Sequence, residues 1–296
     1  MVDIENAFLI LYRDFYRGRV HMTTTVMARL YELMIILYAL SIVLYFTDYL
    51  YKNIKMRRSA FWLVSIVWVL QNLFLVLFII ETKRFPILSL YEGVFFYAWL
   101  LTTLSIVLHC IARVDLPVVC LNLLSFTFMT IHLFAPLTAE QIVGDSLVSE
   151  MLLIHISFAI ISYAAFSIAF VFSILYLILY RILKQKKLNH LWSRLPSLQQ
   201  MVKWINLSTL IGIPLLIISL ILGLEWAFVT VEDVSLLDVK IVGSFVVSVI
   251  YLTIFLLHRR GTLLGITYSQ VHIYLFLLVV VNFFLGSKLS DFHLWV

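Results

Sequence analysis

The chain has 296 residues, of which 63% are hydrophobic and only 12% are charged, and its formal net charge is +5. Soluble domains carry about 25% charged residues, so this composition excludes a soluble domain and predicts an integral membrane protein. The positive charge does not indicate nucleic-acid binding, because the basic residues lie at the ends of apolar segments.

Eight apolar segments follow one another along the chain, and each approaches or exceeds the roughly 20 residues that cross a bilayer. We predict an all-α bundle of about eight transmembrane helices, forming a single domain over residues 28–296. Residues 1–27, where charged residues surround a short apolar run, are predicted to be an N-terminal extension that is interfacial or precedes the native start. The eight segments cover residues 28–51, 60–80, 90–111, 116–134, 151–183, 202–226, 239–257 and 263–285.

The loops between these segments alternate in charge. Lysines and arginines concentrate after the first, third, fifth and seventh segments, whereas the loop 135–150 carries only negative charge. Positive residues mark the cytoplasmic side of a membrane, so we predict that the basic loops are cytoplasmic and both termini extracytoplasmic. The fifth segment spans about 50 Å as a helix, well beyond a hydrocarbon core of about 30 Å, and is expected to tilt or to project into the cytoplasm.

Sequence patterns of common catalytic sites are missing. No zinc-ligand spacing, nucleophile triad, P-loop or GxGxxG pattern occurs, and the two cysteines, Cys110 and Cys120, form no CxxC pair. We therefore expect neither enzymatic activity nor thiol chemistry. Neither a nucleic acid nor a soluble small-molecule substrate is indicated.

Histidines in or beside the apolar segments are informative, because polar groups are costly in a bilayer. His155 lies one turn inside the fifth segment on the predicted outer side, and His293 lies in the outer tail among aromatic residues. A haem site needs two axial donors at one level and an apolar, aromatic wall. These two histidines are candidate ligands of haem iron. The alternative is a hydrogen bond to a neighbouring helix, which we expect for His132 and His272.

Five stretches, in order from residue 85 onward, resemble the CcsA-type cytochrome c assembly family. Each is weak alone, but together they are specific. The stretches are FPILSLYEGVFFYAW at 85–99, LLIHISFAIISYAAF at 152–166, INLSTLIGIPLLIISLILGLEWA at 205–227, LLHRR at 256–260 and VNFFLGSKLSDFHLW at 281–295.

The resemblance implies a set of site residues. In that family two external histidines ligate haem, and His155 and His293 match their positions. A further histidine near the cytoplasmic side matches His258. Should the outer site fail, His258 is the next candidate ligand, with His109 as its partner on the cytoplasmic side. The family's tryptophan-rich external loop is reduced here to a sequence that keeps one tryptophan, Trp226. The implied cofactor is haem b, with His155 and His293 as axial ligands and Trp226 at the root of one wall.

The short eight-span form and the reduced loop most resemble family members encoded beside haem-biosynthesis genes in Gram-positive bacteria. That resemblance implies a non-catalytic protein of the bacterial plasma membrane that lowers the level of glutamyl-tRNA reductase. It would contact the reductase or a membrane protease at its cytoplasmic loops, where the basic loop 184–197 offers a docking surface.

Two other functions stay open. The first is a haem-handling subunit of cytochrome c maturation, which transports haem or ligates it to an apocytochrome, although the reduced external loop argues against it. The second is a small-solute transporter. The scarcity of charges within the segments and the lack of a pair of broken helices disfavour a transporter.

Overall fold

In a computed structural model of the protein, the regular secondary structure of the described residues is helical. The structure describes residues 2–112, 114–133, 150–186, 194–230 and 235–289, with the backbone alone at 2–24 and 285–289. No strand occurs among these residues. The helices are α1 Val2–Tyr51, α2 Ile54–Thr82, α3 Leu90–Ala112, α4 Asp115–Leu133, α5 Glu150–Lys184, α6 Leu198–Thr230, α7 Val239–Arg259 and α8 Gly265–Leu289.

Each of the eight helices contains a segment long and apolar enough to cross a membrane. The predicted all-α, eight-span fold class is therefore confirmed. The largest difference from the predicted segments is in α1, which runs back to Val2, whereas its membrane-length apolar part is Thr25–Tyr51. Residues 2–24 contain no proline and a single glycine, so nothing in their sequence breaks the helix.

The chain divides into two compact units, residues 1–86 and 87–296. In the first unit α1 and α2 form an antiparallel hairpin joined by two residues. Lys52 adopts the left-handed conformation, with φ 52°. The Asn53 side chain then accepts a hydrogen bond of 3.0 Å from the backbone N–H of Lys55, which caps α2. Tyr31 packs edge-on against Phe74, with ring centroids 5.9 Å apart.

In the second unit α5 lies at the centre and contacts α3, α4, α6 and α8. Its Phe166 ring stacks on Tyr251 of α7, with centroids 3.9 Å apart and planes 10° from parallel. The Phe166 ring packs against Gly212 of α6, where a Cβ atom would overlap it. The core around this stack consists of Phe166, Ile213, Leu216, Val247, Tyr251, Leu275, Phe276 and Val279.

The two longest helices after α1 are neighbours. α5 has 35 residues and α6 has 33, so α5 is about 52 Å long and exceeds a hydrocarbon core of about 30 Å. The predicted excess of this helix over the thickness of the hydrocarbon core is therefore confirmed. Ala165 and Ala169 are four residues apart and both buried on α5.

Side chains cap two of the helices that begin on the predicted outer side, α3 and α7. At α3 the Glu92 carboxylate accepts hydrogen bonds from the backbone N–H groups of Leu88 (3.0 Å) and Ser89 (3.2 Å), while the Ser89 hydroxyl accepts from Glu92 N–H at 3.1 Å. This is a capping box. At α7 the Asp238 carboxylate accepts from the N–H groups of Lys240 (2.8 Å) and Ile241 (3.3 Å).

Candidate functional site

His155 lies one turn inside α5 and its imidazole meets α6. Its Nδ1 atom lies 2.6 Å from the backbone carbonyl oxygen of Ser219, and the Ser219 hydroxyl donates a hydrogen bond of 2.8 Å to the His155 carbonyl oxygen. A carbonyl oxygen only accepts hydrogen bonds, so Nδ1 carries the proton of the neutral ring. The lone pair of the imidazole therefore lies on Nε2.

Gly223 of α6 leaves the space that the His155 ring fills. A Cβ atom on Gly223 would lie 2.6 Å from both Cε1 and Nδ1 of the imidazole and 3.2 Å from Nε2. Ser219, Gly223 and Ala227 recur every four residues, so three small residues share one face of α6. Small residues let membrane helices approach closely, and here they make room for an imidazole between α5 and α6.

The surroundings of His155 suit a metal ligand. Ligating histidines usually donate their other ring N–H to a carbonyl or a carboxylate, which fixes the tautomer and the orientation of the ring. No residue in the described part of the chain donates a hydrogen bond to Nε2 of His155, and the side chain is only partly buried. With Nδ1 held by Ser219, Nε2 of His155 is the atom that would ligate haem iron, for which imidazole is a common ligand.

The other predicted residues of the outer site are described in part. His293 lies outside the described residues, so its pairing with His155 stays a prediction. Trp226 lies three residues beyond Gly223, near the end of α6, and is partly buried. Asp238, at the end of the reduced external loop, caps α7 and so has a structural role.

An apolar crevice lies between α3, α4, α5 and α8, within the same unit. Its empty space, counted out to its open mouth, is about 350 Å³. On α5 it begins five residues after His155, about 8 Å along the helix axis. Tyr163 is the one aromatic residue that α5 contributes to this crevice, and none of the lining residues lies on α6, the helix that the His155 ring contacts. The lining of the crevice consists of Gly93, Tyr97, Phe128, Ile160, Tyr163, Phe276, Val279, Val280, Phe283 and Phe284.

His258 lies in the last turn of α7, far along the chain from His155 and beside the basic pair that follows it. Its Nδ1 atom lies 2.7 Å from the carbonyl oxygen of Leu263 and its Nε2 atom 3.1 Å from Nδ2 of Asn206. Its ring stacks on Tyr268, with centroids 3.8 Å apart. Both ring nitrogens are thus engaged within α6–α8.

His272, the mid-span histidine of α8, is almost fully buried. Its Nδ1 atom lies 3.0 Å from the carbonyl oxygen of Tyr268, one turn earlier in the same helix, and its Nε2 atom lies 3.0 Å from Oγ1 of Thr209. His272 therefore hydrogen-bonds a neighbouring helix, as predicted. His132, in the last turn of α4, packs its ring 5.5 Å from that of Phe95.

Sequence reasoning singled out the histidines but missed the residues that hold them. Ser219 and Gly223 hold one histidine, and Asn206 and Thr209 hold the other two, all from α6. The sequence carries one signal for them, which is the recurrence of small and polar residues on a long helix that is otherwise apolar. That signal marks the face of α6 but not the histidine that each residue meets.

These features define a multi-pass membrane protein that is helical in its described regular structure, with a histidine held between helices α5 and α6. The sequence profile of the family described as Cytochrome C assembly protein matches residues 87–293. The match begins at the first residue of the second compact unit. The chain therefore belongs to the cytochrome c assembly protein family, as the resemblance of its segments indicated.

Within this family the chain is similar to HemX proteins over most of its length. It is 43% identical to Protein HemX of Bacillus subtilis (strain 168) over 274 residues, which cover 92% of this chain and 99% of that protein. It is 38% identical to Protein HemX of Brevibacillus brevis, over 90% of this chain and 97% of that protein.

More distant similarity extends to a cytochrome c biogenesis protein. The chain is 32% identical to CcsA of Chlamydomonas reinhardtii over 170 residues, which cover 53% of this chain and 46% of that protein. No solved structure gives a significant match.

Proposed function

We propose that this chain is a haem-pathway membrane protein of the HemX type, a non-catalytic protein of the bacterial plasma membrane that lowers the level of glutamyl-tRNA reductase. The observation that carries the proposal is the similarity to HemX proteins over nearly the full length of both chains. The effect on the reductase comes from the resemblance of the segments to family members encoded beside haem-biosynthesis genes.

In this proposal the protein senses haem at its outer site. His155 would present Nε2 to the iron, the Ser219 carbonyl oxygen accepts the Nδ1 proton, and Gly223 leaves room for the ring between α5 and α6. His293 would supply a second ligand to the haem iron, and Trp226 would lie at the root of one wall of the site. Haem b, when bound, would supply an iron centre. The fraction of the protein with haem bound would rise with the supply of haem, the end product of the pathway.

The partner is contacted at the basic end of the α5–α6 hairpin. Arg181, Lys184 and Lys186 are described there, together with Arg194 and Lys203 across the connecting loop, of which residues 187–193 lie outside the described part. A basic surface of this kind suits an acidic patch on the reductase or on a membrane protease. The positive-inside rule alone also places basic residues on the cytoplasmic side. Replacing these residues with acidic ones therefore tests whether they contact a partner.

A second candidate function is haem handling in cytochrome c maturation. Membership of the cytochrome c assembly family and the similarity to CcsA favour it. The described similarity to a cytochrome c biogenesis protein covers about half of this chain. A haem-handling subunit of cytochrome c maturation would use the same outer histidine. It would differ in its effect on cells, because loss of the protein would then remove covalently bound haem from c-type cytochromes.

Deletion of the gene in its native bacterium separates the two functions. The deletion strain should contain more glutamyl-tRNA reductase on an immunoblot, while haem staining of c-type cytochromes stays at the wild-type level. The wild-type gene should restore the reductase level, and a copy with His155→Ala should restore it incompletely. Unchanged reductase together with lost cytochrome haem would favour the maturation function instead.

A further inference from the structure

The apolar crevice between α3, α4, α5 and α8 lies within the depth of the membrane. All of its described lining residues fall inside the membrane-length parts of these four helices. On α8 they run from Phe276 to Phe284, about 12 Å along the helix axis. Half of a hydrocarbon core of about 30 Å is about 15 Å. The crevice therefore has nearly the depth of one leaflet, on the side of the membrane where α3 begins and α8 ends.

The two tyrosines that line the crevice use their hydroxyl groups elsewhere. The Ser167 hydroxyl donates a hydrogen bond of 2.8 Å to the backbone carbonyl oxygen of Tyr163, so it accepts the hydrogen bond that the Tyr97 hydroxyl donates. The Tyr163 hydroxyl makes side-chain hydrogen bonds with Ser244 and Asn282, which also bond to each other at 2.9 Å. The other described lining residues have no polar side chain. The crevice therefore offers an occupant apolar contacts alone.

This lining excludes several classes of occupant. A haem needs an axial ligand for its iron and a partner for its charged propionates, and no described lining residue is a histidine, cysteine, methionine or cation. The carbonyl oxygens of a quinone head group would find no hydrogen-bond donor on these walls, and burial of such groups without a partner is costly. Water does not fill cavities with apolar walls. A hydrocarbon chain is the occupant that these walls fit.

The mouth of the crevice opens to the lipid-facing side of α8. Val280 and Phe283, at the rim, are half-buried, whereas Tyr97 and Phe128, on the floor, are buried. Val281, the residue next to Val280, is 51% exposed within the same span. Side chains that are exposed at this depth contact the hydrocarbon of the bilayer. A chain that enters past Val280 therefore comes from the surrounding lipid.

We propose that the crevice is a lipid site that takes one acyl chain of a phospholipid, from the leaflet on the side where α3 begins. The chain enters past Val280 and reaches the floor at Tyr97 and Phe128, while the head group stays at the membrane surface. Within this unit, α3 and α4 join the other helices chiefly through α5. The acyl chain thus fills a gap in the packing between the α3–α4 pair and α8. This site goes beyond the proposed function and does not depend on haem.

Photo-crosslinking of the full chain tests the site in the wild type. The purified protein is reconstituted into vesicles of phosphatidylethanolamine and phosphatidylglycerol, with a trace of phosphatidylglycerol that carries a diazirine in the middle of one acyl chain. After illumination, peptide mass spectrometry maps the adducts. They should occur at Tyr97 and Phe128, which are buried from bulk lipid, as well as at the exposed Val281. Adducts confined to exposed residues such as Val281 would overturn the proposal.

Two neighbouring valines provide a matched pair of variants. Val280→Trp fills the rim of the crevice and should lower the adduct yield at Tyr97 and Phe128 about tenfold, which corresponds to about 1.4 kcal/mol of binding free energy. Val281→Trp makes the same change on the lipid-facing surface and should leave that yield unchanged. Equal yields in the two variants would contradict the site.

The other long apolar chain of membranes is the isoprenoid tail, and competition in the wild type distinguishes it without any substitution. An isoprenoid quinone added to the vesicles at a low mole fraction should leave the adduct yield at Tyr97 and Phe128 unchanged. Loss of these adducts on addition of the quinone would overturn the assignment to an acyl chain and give the crevice to the isoprenoid tail instead.

Discussion

Nδ1 of His155 lies 2.6 Å from the backbone carbonyl oxygen of Ser219, a residue 64 positions away on the neighbouring helix. Because the acceptor is a backbone atom, substitution of the Ser219 side chain leaves this hydrogen bond possible. The bond fixes the neutral tautomer with its lone pair on Nε2. One backbone contact between α5 and α6 thus decides which ring nitrogen of His155 keeps its lone pair.

Gly223→Ala should weaken haem binding at the outer site. The added Cβ atom would lie 2.6 Å from two atoms of the His155 ring, so the ring must turn away from the Ser219 carbonyl. Loss of an outer-shell contact of this kind costs about 10–100-fold in metal affinity. Titration of the purified variant with haem, followed by absorbance, measures the change.

Gly212→Ala is the matched control for this change. It adds the same methyl group to the same helix interface, but the group meets the Phe166 ring instead of His155. The control should lower thermal stability and leave haem affinity near the wild-type value. Equal loss of haem affinity in both variants would show that general disruption of the α5–α6 packing, and not the His155 ring, is responsible.

Two buried tyrosines should respond differently to loss of their hydroxyl groups. The Tyr251 hydroxyl is buried and makes no hydrogen bond to any described residue, whereas the Tyr268 hydroxyl donates to Asn206. Tyr251→Phe should therefore keep or raise the thermal stability of the protein in detergent. Tyr268→Phe should lower it by about 1 kcal/mol, the usual net value of one hydrogen bond. The opposite order would contradict the described polar contacts.

The number and the approximate positions of the membrane-length helices were predictable from the sequence. Apolar segments of membrane length are separated by charged loops, and the strength of this signal does not depend on tertiary contacts. The observed helix boundaries differ from the predicted ones where a capping side chain extends a helix. α2 begins at Ile54 and not at residue 60, because Asn53 caps it and the basic residues that follow are compatible with a helix.

The partners of the histidines were not predictable in the same way. His155 meets Ser219 because one particular face of α6 packs against one particular face of α5, and hydropathy does not specify that face. The same holds for His258 and Asn206, which are 52 positions apart in the chain. A sequence marks costly polar groups in a membrane, but the packing of the helices decides which groups meet.

Glu92→Ala should destabilise the start of α3. The carboxylate accepts hydrogen bonds from two backbone N–H groups that have no partner within the helix. Its removal should cost about 1 kcal/mol, measured by thermal unfolding in detergent. Glu92→Gln keeps an acceptor oxygen and should lose less, and an equal loss in both variants would argue against the capping role.

The orientation of the chain is predicted from loop charge and can be measured with single cysteines. In a background with Cys110 and Cys120 changed to alanine, a membrane-impermeant thiol reagent should label Ser146→Cys in intact cells. It should label Ser197→Cys only after the membrane is permeabilised, because the basic loops are predicted to be cytoplasmic. Ser146 lies outside the described residues. Labelling of Ser197→Cys from outside would reverse the predicted orientation.

The central claim, a haem site on His155, is tested most directly by the absorbance spectrum of the detergent-purified protein. The account predicts a reduced haem b spectrum in the wild type, a shifted or weakened spectrum in His155→Ala and in His293→Ala, and no haem spectrum in the double variant. Axial imidazole ligation determines the position of these bands, so loss of a ligand is visible directly. A haem spectrum that neither substitution alters would contradict the account.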